Sequence, residues 1–166
     1  MEQQAFLERA IEQYGKATYN FAYRLTGNDA DASDLTQEAF IRVFRAWQSF
    51  KPGTSFLSWI YRIVTNLYRD ELRRRKSRFY QEEMPERAVA PIEEYVEGHL
   101  SEPVSKALAD LAPEHRKIVL LADVEGCSYQ EIGQIVGCSV GTVRSRLHRA
   151  RGQLRKLVNR YMKSSS

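Results

Sequence analysis

The sequence predicts an all-α protein built from two small helical domains joined by a flexible acidic linker. Three observations predict it. Apolar residues recur every three or four positions from Phe6 to Leu67 and again from Val104 onward, the spacing of a buried helical face. No stretch alternates apolar and polar residues as a half-exposed strand would. Charge runs basic, acidic, basic. Tyr68 to Tyr80 carries six Lys/Arg against Asp70 and Glu71, Gln81 to Glu102 carries seven Glu against one Arg, and Ser139 to Lys163 carries eight Lys/Arg and no acid. With a net charge of only +4, placement matters more than total, and two basic surfaces flanking an acidic segment point to two contacts with a polyanion.

The first helix carries Phe6, Ala10, Tyr14, Ala17, Phe21 and Leu25 on one face and stops at Gly27-Asn28. Asn28 caps the second, whose first turn holds Asp29 and Asp31, favourable to the helix dipole, and whose inner face is Leu35, Ala39, Val43 and Trp47. Lys51-Pro52-Gly53-Thr54 reads as a loop. Ser55 begins a third helix with Phe56, Ile60, Ile63 and Leu67 buried, running into the charged RDELRRRKSR. Residues 1–80 thus form one domain. The stretch 81–101, with Pro85, Pro91 and many Glu, has no sustained period and is a linker. The second domain, 102–163, starts with a short helix marked by Val104, Leu108 and Leu111, then PEHRKIVLLADVEG beginning at Pro113 and ending at Gly126. Ser128 and Glu131 make a capping box for YQEIGQIV, Gly137 suits a left-handed C-terminal position, and Ser139 caps a last helix burying Val143, Leu147, Ala150, Leu154 and Leu157.

Several function classes are excluded. No apolar run approaches the roughly 20 residues that span a bilayer, and the N-terminus lacks the pattern of a signal peptide, so a cytoplasmic protein is expected. There is no phosphate loop, HExxH, paired catalytic carboxylates or Cys/His dyad, so neither an enzyme nor a cofactor is expected. His99, His115 and His148 are scattered, and no metal is expected. Cys127 and Cys138 lack CxxC spacing and read as small buried side chains, with a redox input the alternative.

The stretch SYQEIGQIVGCSVGTVRSRLHRARGQLRKL has the layout of a helix-turn-helix. If Ile132, Ile135 and Val136 pack against Val143 and Leu147, the outer face of the last helix offers Gly141, Thr142, Arg144, Ser145, His148 and Arg149 to a DNA groove, where Arg can pair with guanine and Ser or Thr with bases or phosphate. Arg146, Arg151 and Arg155 are spaced for phosphates, and Ser139 stands at the helix start. In the first domain, aromatic and basic residues interleave at Phe50, Lys51, Phe56, Trp59, Tyr61, Arg62, Tyr68 and Arg69. Phe56 and Trp59 are candidates for the core. The others suit the capture of unpaired bases by stacking beside a cationic groove.

EIGQIVGCSVGTVRSRLHRAR resembles domain four of bacterial sigma-70-type factors. DASDLTQEAFIRVFRAW resembles that family's polymerase-docking helix, and SFLSWIYRIVTNLYRDELRRRK its promoter-melting helix. With two domains and a short linker, the chain is similar to the extracytoplasmic-function group over nearly all of its length. The resemblance implies that Asp34, Leu35, Gln37, Glu38, Phe40, Ile41, Arg42, Phe44 and Arg45 meet the clamp helices of the largest polymerase subunit, with the second domain on the flap. It implies that the loop Phe50 to Ser55, including Lys51 and Thr54, holds a flipped base of the minus-10 element beside Trp59 and Tyr61, with Arg62, Asn66, Arg69 and Arg73 lining the strand. Melting would then be a binding effect, easiest at weakly paired A/T steps. The helix-turn-helix would read the minus-35 element, the linker would thread the polymerase cleft, and an anti-sigma protein would hold the factor off. A self-sufficient DNA-binding regulator with a sensing first domain is the alternative, although the first half has no ligand-pocket signature and a basic end of its own.

Overall fold

The computed structural model describes residues 1–79 and 100–164. Most of the expected linker therefore falls outside the described residues. The rest forms seven α-helices with no strand among the described residues.

In the first unit α1 (Glu2–Thr26), α2 (Asp29–Arg45) and α3 (Phe56–Phe79) pack about Phe21, Leu25, Val43, Ile60 and Val64, all fully buried. Their ends are fixed by local chemistry. Gly27 closes α1 at φ +84°, a left-handed conformation that costs glycine little. The Asn28 side chain accepts a hydrogen bond from the Asp31 amide at 2.8 Å, and Ser55 Oγ accepts one from the Ser58 amide at 3.2 Å. Between α2 and α3 a single turn, Trp47–Ser49, leads into the loop, which rests on an aromatic cluster. Phe50 lies 5.6 Å from Phe56 and 5.4 Å from Trp59 between ring centroids, and Tyr14 stacks on Phe56 at 4.5 Å.

The second unit contains α4 (Glu102–Asp110), α5 (Pro113–Val119), α6 (Tyr129–Val136) and α7 (Val140–Ser164). The sequence anticipates one helix from Pro113 to Gly126. Instead α5 widens at Leu120–Val124 into a π turn, in which the Glu125 amide reaches back five residues to the Leu120 carbonyl. The capping box forms as expected, with Glu131 Oε1 accepting from the Ser128 amide and Ser128 Oγ from the Glu131 amide, both at 3.1 Å. Gly137 adopts φ +77°, and Ser139 Oγ accepts from the Thr142 amide at 3.2 Å. Ile132, Ile135, Val143, Leu147 and Ala150 form the core, while Val136, Leu154 and Leu157 are half-buried.

The two units do not stand apart. A single hydrophobic cluster runs through both, with α6 against α3. Polar contacts cross the seam as well. Tyr61 OH donates to Glu125 Oε2 at 2.9 Å, and Arg24 approaches the same carboxylate at 3.8 Å. Ser58 Oγ donates to Glu131 Oε2 at 2.7 Å. Arg116 Nη1 donates to the Leu25 carbonyl at 2.7 Å and to Tyr68 OH at 3.4 Å. Helix α3 therefore buries two faces, one toward α1 and α2 and one toward the second unit, and the single stripe expected from periodicity accounts for the first.

Candidate nucleic-acid interface

At 100° per residue, the buried side of α7 is marked by Val143, Leu147 and Ala150. Gly141, Ser145, His148 and Arg149 lie opposite, all exposed, flanked by exposed Arg144 and Arg146 and by half-buried Thr142. Ser139, also exposed, shares a hydroxyl hydrogen bond with Thr142 at 3.0 Å, so both belong to the cap that aims the helix start outward. Arg151 is placed differently. Its guanidinium grips Asp123 at 3.0 and 2.6 Å in a two-pronged ion pair, which raises its pKa further and ties α7 to the π turn. A phosphate would have to compete with that carboxylate.

On α3, Arg62, Asn66, Arg69 and Arg73 follow one another at intervals of four, three and four residues, a single stripe along the helix. The three arginines are exposed and Asn66 is half-buried. The stripe leads up to the loop, where Lys51, Thr54 and Ser55 are exposed and the Lys51 carbonyl accepts from the Thr54 amide and hydroxyl at 3.2 and 2.6 Å. Phe50 and Trp59 are half-buried in the aromatic floor, each with part of its surface outward. Tyr61 does not join them. It is 2% exposed, its hydroxyl is engaged by Glu125, and burial together with that carboxylate pushes its pKa up. In this arrangement it is unavailable for stacking a base.

Helix α2 divides its expected docking residues between two faces. Leu35 and Phe40 are buried, whereas Asp34, Gln37, Glu38, Ile41, Arg42, Phe44 and Arg45 are exposed. Ile41 at 43% and Phe44 at 36% exposure border an apolar groove of about 740 Å³ between α1 and α2. Such an apolar strip with charged neighbours suits a partner helix. On the other side Asp34, Glu38 and Arg42 line a polar cleft with Arg74 and Arg75, where Arg75 bonds Asp31 at 3.0 Å and Glu71 at 3.2 Å.

The Sigma-70 region 2 family model matches residues 10–78, and the Sigma-70 region 4 model matches residues 101–154. The chain is 46% identical over 161 residues to the ECF RNA polymerase sigma factor SigE of Mycolicibacterium smegmatis, covering 93% of this chain and 62% of that one. It is 33% identical to the ECF sigma factor SigW of Bacillus subtilis, with 93% and 89% covered. The chain belongs to the extracytoplasmic-function group of the sigma-70 family. Its fold is similar to that of the sigma factor RpoE in complex with the anti-sigma factor NepR from Bartonella quintana, at a TM-score of 0.78 and 26% identity, over 92% of this chain and 96% of that one. A second similar fold, at a TM-score of 0.66 and 24% identity over 95% of this chain and 89% of that one, is CnrH in complex with the cytosolic domain of CnrY. Among the described residues no helix is long and apolar enough to cross a membrane, and no cluster of His, Cys, Asp and Glu could hold a metal.

In sigma-factor terms, α1–α3 are domain 2 and α4–α7 are domain 4. Several residues that join the domains escape a reading of the sequence. Arg116 is 9% exposed and donates to four carbonyls. Glu125 is half-buried, and burial holds its carboxyl above the usual range. Glu131 is held below the usual range by hydrogen bonds from Ser58 and the Ser128 amide. A buried arginine and a glutamate beside Gly126 look like ordinary solvated charges when only their neighbours in sequence are known. Cys127 and Cys138 are half-buried free thiols, and burial, then Glu131 and Glu125, push the Cys127 thiol up to about 11. Such a shift lowers the thiolate fraction of Cys127 at neutral pH, which disfavours a fast redox input through it.

Proposed function

We propose that this sigma factor recruits core RNA polymerase to specific promoters, reads the minus-35 element with α7, and captures opened minus-10 DNA with α3 and its preceding loop. The observation that carries the reading is the pairing, in one chain, of two unlike basic surfaces. One is an acid-free helix whose capped N-terminus projects outward, the geometry that enters a major groove. The other is an arginine stripe leading to a loop floored by aromatic rings, the combination that holds unpaired bases. Neither needs a catalytic group, since a base pulled from the stack and held by a protein shifts the duplex equilibrium by binding energy alone.

The exposed part of α2, with Ile41 and Phe44 amid Asp34, Gln37, Glu38, Arg42 and Arg45, is the surface offered to the clamp helices, and domain 4 meets the flap. Leu35 and Phe40 support that surface from beneath. The protein works in the cytoplasm, where the polymerase is. An anti-sigma protein is the inhibitor expected, as NepR is an anti-sigma factor for the similar RpoE.

Two substitutions on α7 separate base reading from phosphate contact. Arg149→Ala is expected to lower specific promoter use by about 1–3 kcal/mol, roughly 5- to 150-fold, with a changed base preference in the minus-35 element. Arg155→Ala is expected to weaken all promoters alike and to flatten the salt dependence. Run-off transcription from a panel of single-base minus-35 variants measures both. Equal losses on every promoter from both substitutions would refute the assignment.

A further inference from the structure

Arginines spaced for phosphate along α7 do not all behave alike. Arg144 and Arg155 are exposed and have no carboxylate partner among the described residues. At 100° per residue Arg151 lies about 20° from Arg144 and about 40° from Arg155, on the same edge of the helix. Its side chain goes elsewhere. Nε and Nη2 donate to the Asp123 carboxylate at 3.0 and 2.6 Å, and Tyr129, the first residue of α6, stands beside the guanidinium. One arginine thus joins the π turn, α6 and α7.

Stability does not explain the pair. With side chains 41% and 40% exposed, it is of the kind that contributes little to folding. What it supplies is direction, because two parallel hydrogen bonds hold a planar guanidinium at one angle, whereas the apolar burial of Val143, Leu147 and Ala150 is non-directional. At its start α7 is already held by the turn, where the Cys138 amide donates to the Gly133 carbonyl at 3.0 Å and Ser139 caps the helix. Asp123 holds it again at Arg151, about 18 Å farther along the axis. Thr142, Ser145, His148 and Arg149 lie between these two fixed points.

We propose that Arg151 is a positioning residue for minus-35 recognition and not a DNA contact: held by Asp123, it fixes the rotation at which α7 presents Ser145, His148 and Arg149 to the groove. This rests on the minus-35 role given to α7 above. The π turn takes part. It holds one more residue than an α turn and so redirects the side chains that follow, which brings Asp123 to face α7. The same carboxylate repels a phosphate drawn toward Arg151, so the pair also closes this edge of the helix to the DNA backbone.

The test uses holoenzyme assembled from core polymerase and the full chain, on promoters with single-base changes in the minus-35 element, at several salt concentrations. Arg151→Ala is expected to cut discrimination between preferred and altered bases about fivefold. The slope of log affinity against log salt concentration is expected to stay as in wild type, and so is the thermal midpoint of the free chain. Exchanging the partners, Asp123→Arg with Arg151→Asp, rebuilds the pair with its ends reversed at the same net charge and is expected to restore most of the discrimination. A slope flattened by about 0.9 in Arg151→Ala, the mark of one lost phosphate contact, overturns the positioning role. So does discrimination equal to wild type in that variant, or a folded exchange variant that discriminates no better than Arg151→Ala. A wild-type holoenzyme indifferent to minus-35 base changes is a separate outcome, which overturns the reading of α7 itself and the proposal with it.

Discussion

Arg116→Ala is expected to destabilise the protein by roughly 3–5 kcal/mol, since each buried backbone acceptor left without a partner costs about 1–3 kcal/mol and several would be stranded together. The guanidinium faces two helix ends. Nε donates to the Leu108 carbonyl at 2.7 Å, and Nη2 to those of Ala109 and Leu111 at 2.9 and 2.8 Å, at the C-terminus of α4. Nη1 reaches the Leu25 carbonyl near the C-terminus of α1. Helix C-termini present unpaired carbonyls and a negative dipole end, so a cation with several donors satisfies both at once. Alanine would strand these acceptors in a buried site. Arg116→Lys is expected to recover only part of the loss, because an ammonium has three donors and cannot reproduce the planar fork. Thermal unfolding followed at 222 nm checks this. A midpoint for Arg116→Ala equal to wild type would show that water replaces the guanidinium without cost.

Gly133→Ala is expected to disable the helix-turn-helix while leaving domain 2 intact. A Cβ on Gly133 would lie 2.6 Å from the Cys138 carbonyl oxygen, and the obstacle is backbone, which cannot rotate aside as a side chain could. The same turn is tied by hydrogen bonds from the Gly137 and Cys138 amides to the Gly133 carbonyl at 2.8 and 3.0 Å. Relief therefore means moving α7 relative to α6, at an overpacking cost of roughly 1–3 kcal/mol. A displaced α7 misaims Ser145, His148 and Arg149 together. Promoters that depend on the minus-35 element should lose at least about tenfold in use, the equivalent of 1.4 kcal/mol, while binding to core polymerase through α2 is retained. Footprinting of the holoenzyme checks both parts. A normal minus-35 footprint from Gly133→Ala would mean that the turn can relax without moving the recognition helix.

What the sequence made legible is local. Asn28, Ser55, Ser128 with Glu131, and Ser139 announce helix starts because a cap needs only a side chain and an amide two or three residues away, and Gly137 announces an end because glycine takes the left-handed conformation at little cost. The inner stripes of α1, α2 and α7 are legible because one buried face repeats with the helical period. The second face of α3 was not, since Tyr61 and Tyr68 owe their burial to partners 64 and 48 residues along the chain, and no periodicity carries that information. An aromatic residue beside arginines fits both a stacking surface and a seam, and the partner decides. Arg151 shows the same limit, with a ligand in Asp123 at a distance of 28 residues that redirects a side chain otherwise spaced for phosphate. The π turn after Val119 replaces a regular helix for a tertiary reason too: Leu120 and Leu121 are fully buried, while Glu125 beyond them meets Tyr61.

The central claim is that this chain confers promoter choice on a polymerase that lacks it. Purified core RNA polymerase and a promoter-bearing template, with and without the full-length chain, test it most directly. A run-off transcript of defined start that appears only when the chain is added, and that disappears when either the minus-10 or the minus-35 element is scrambled, is the predicted result. Tight, sequence-specific binding of the chain alone to duplex DNA, with no effect on core polymerase, would contradict it.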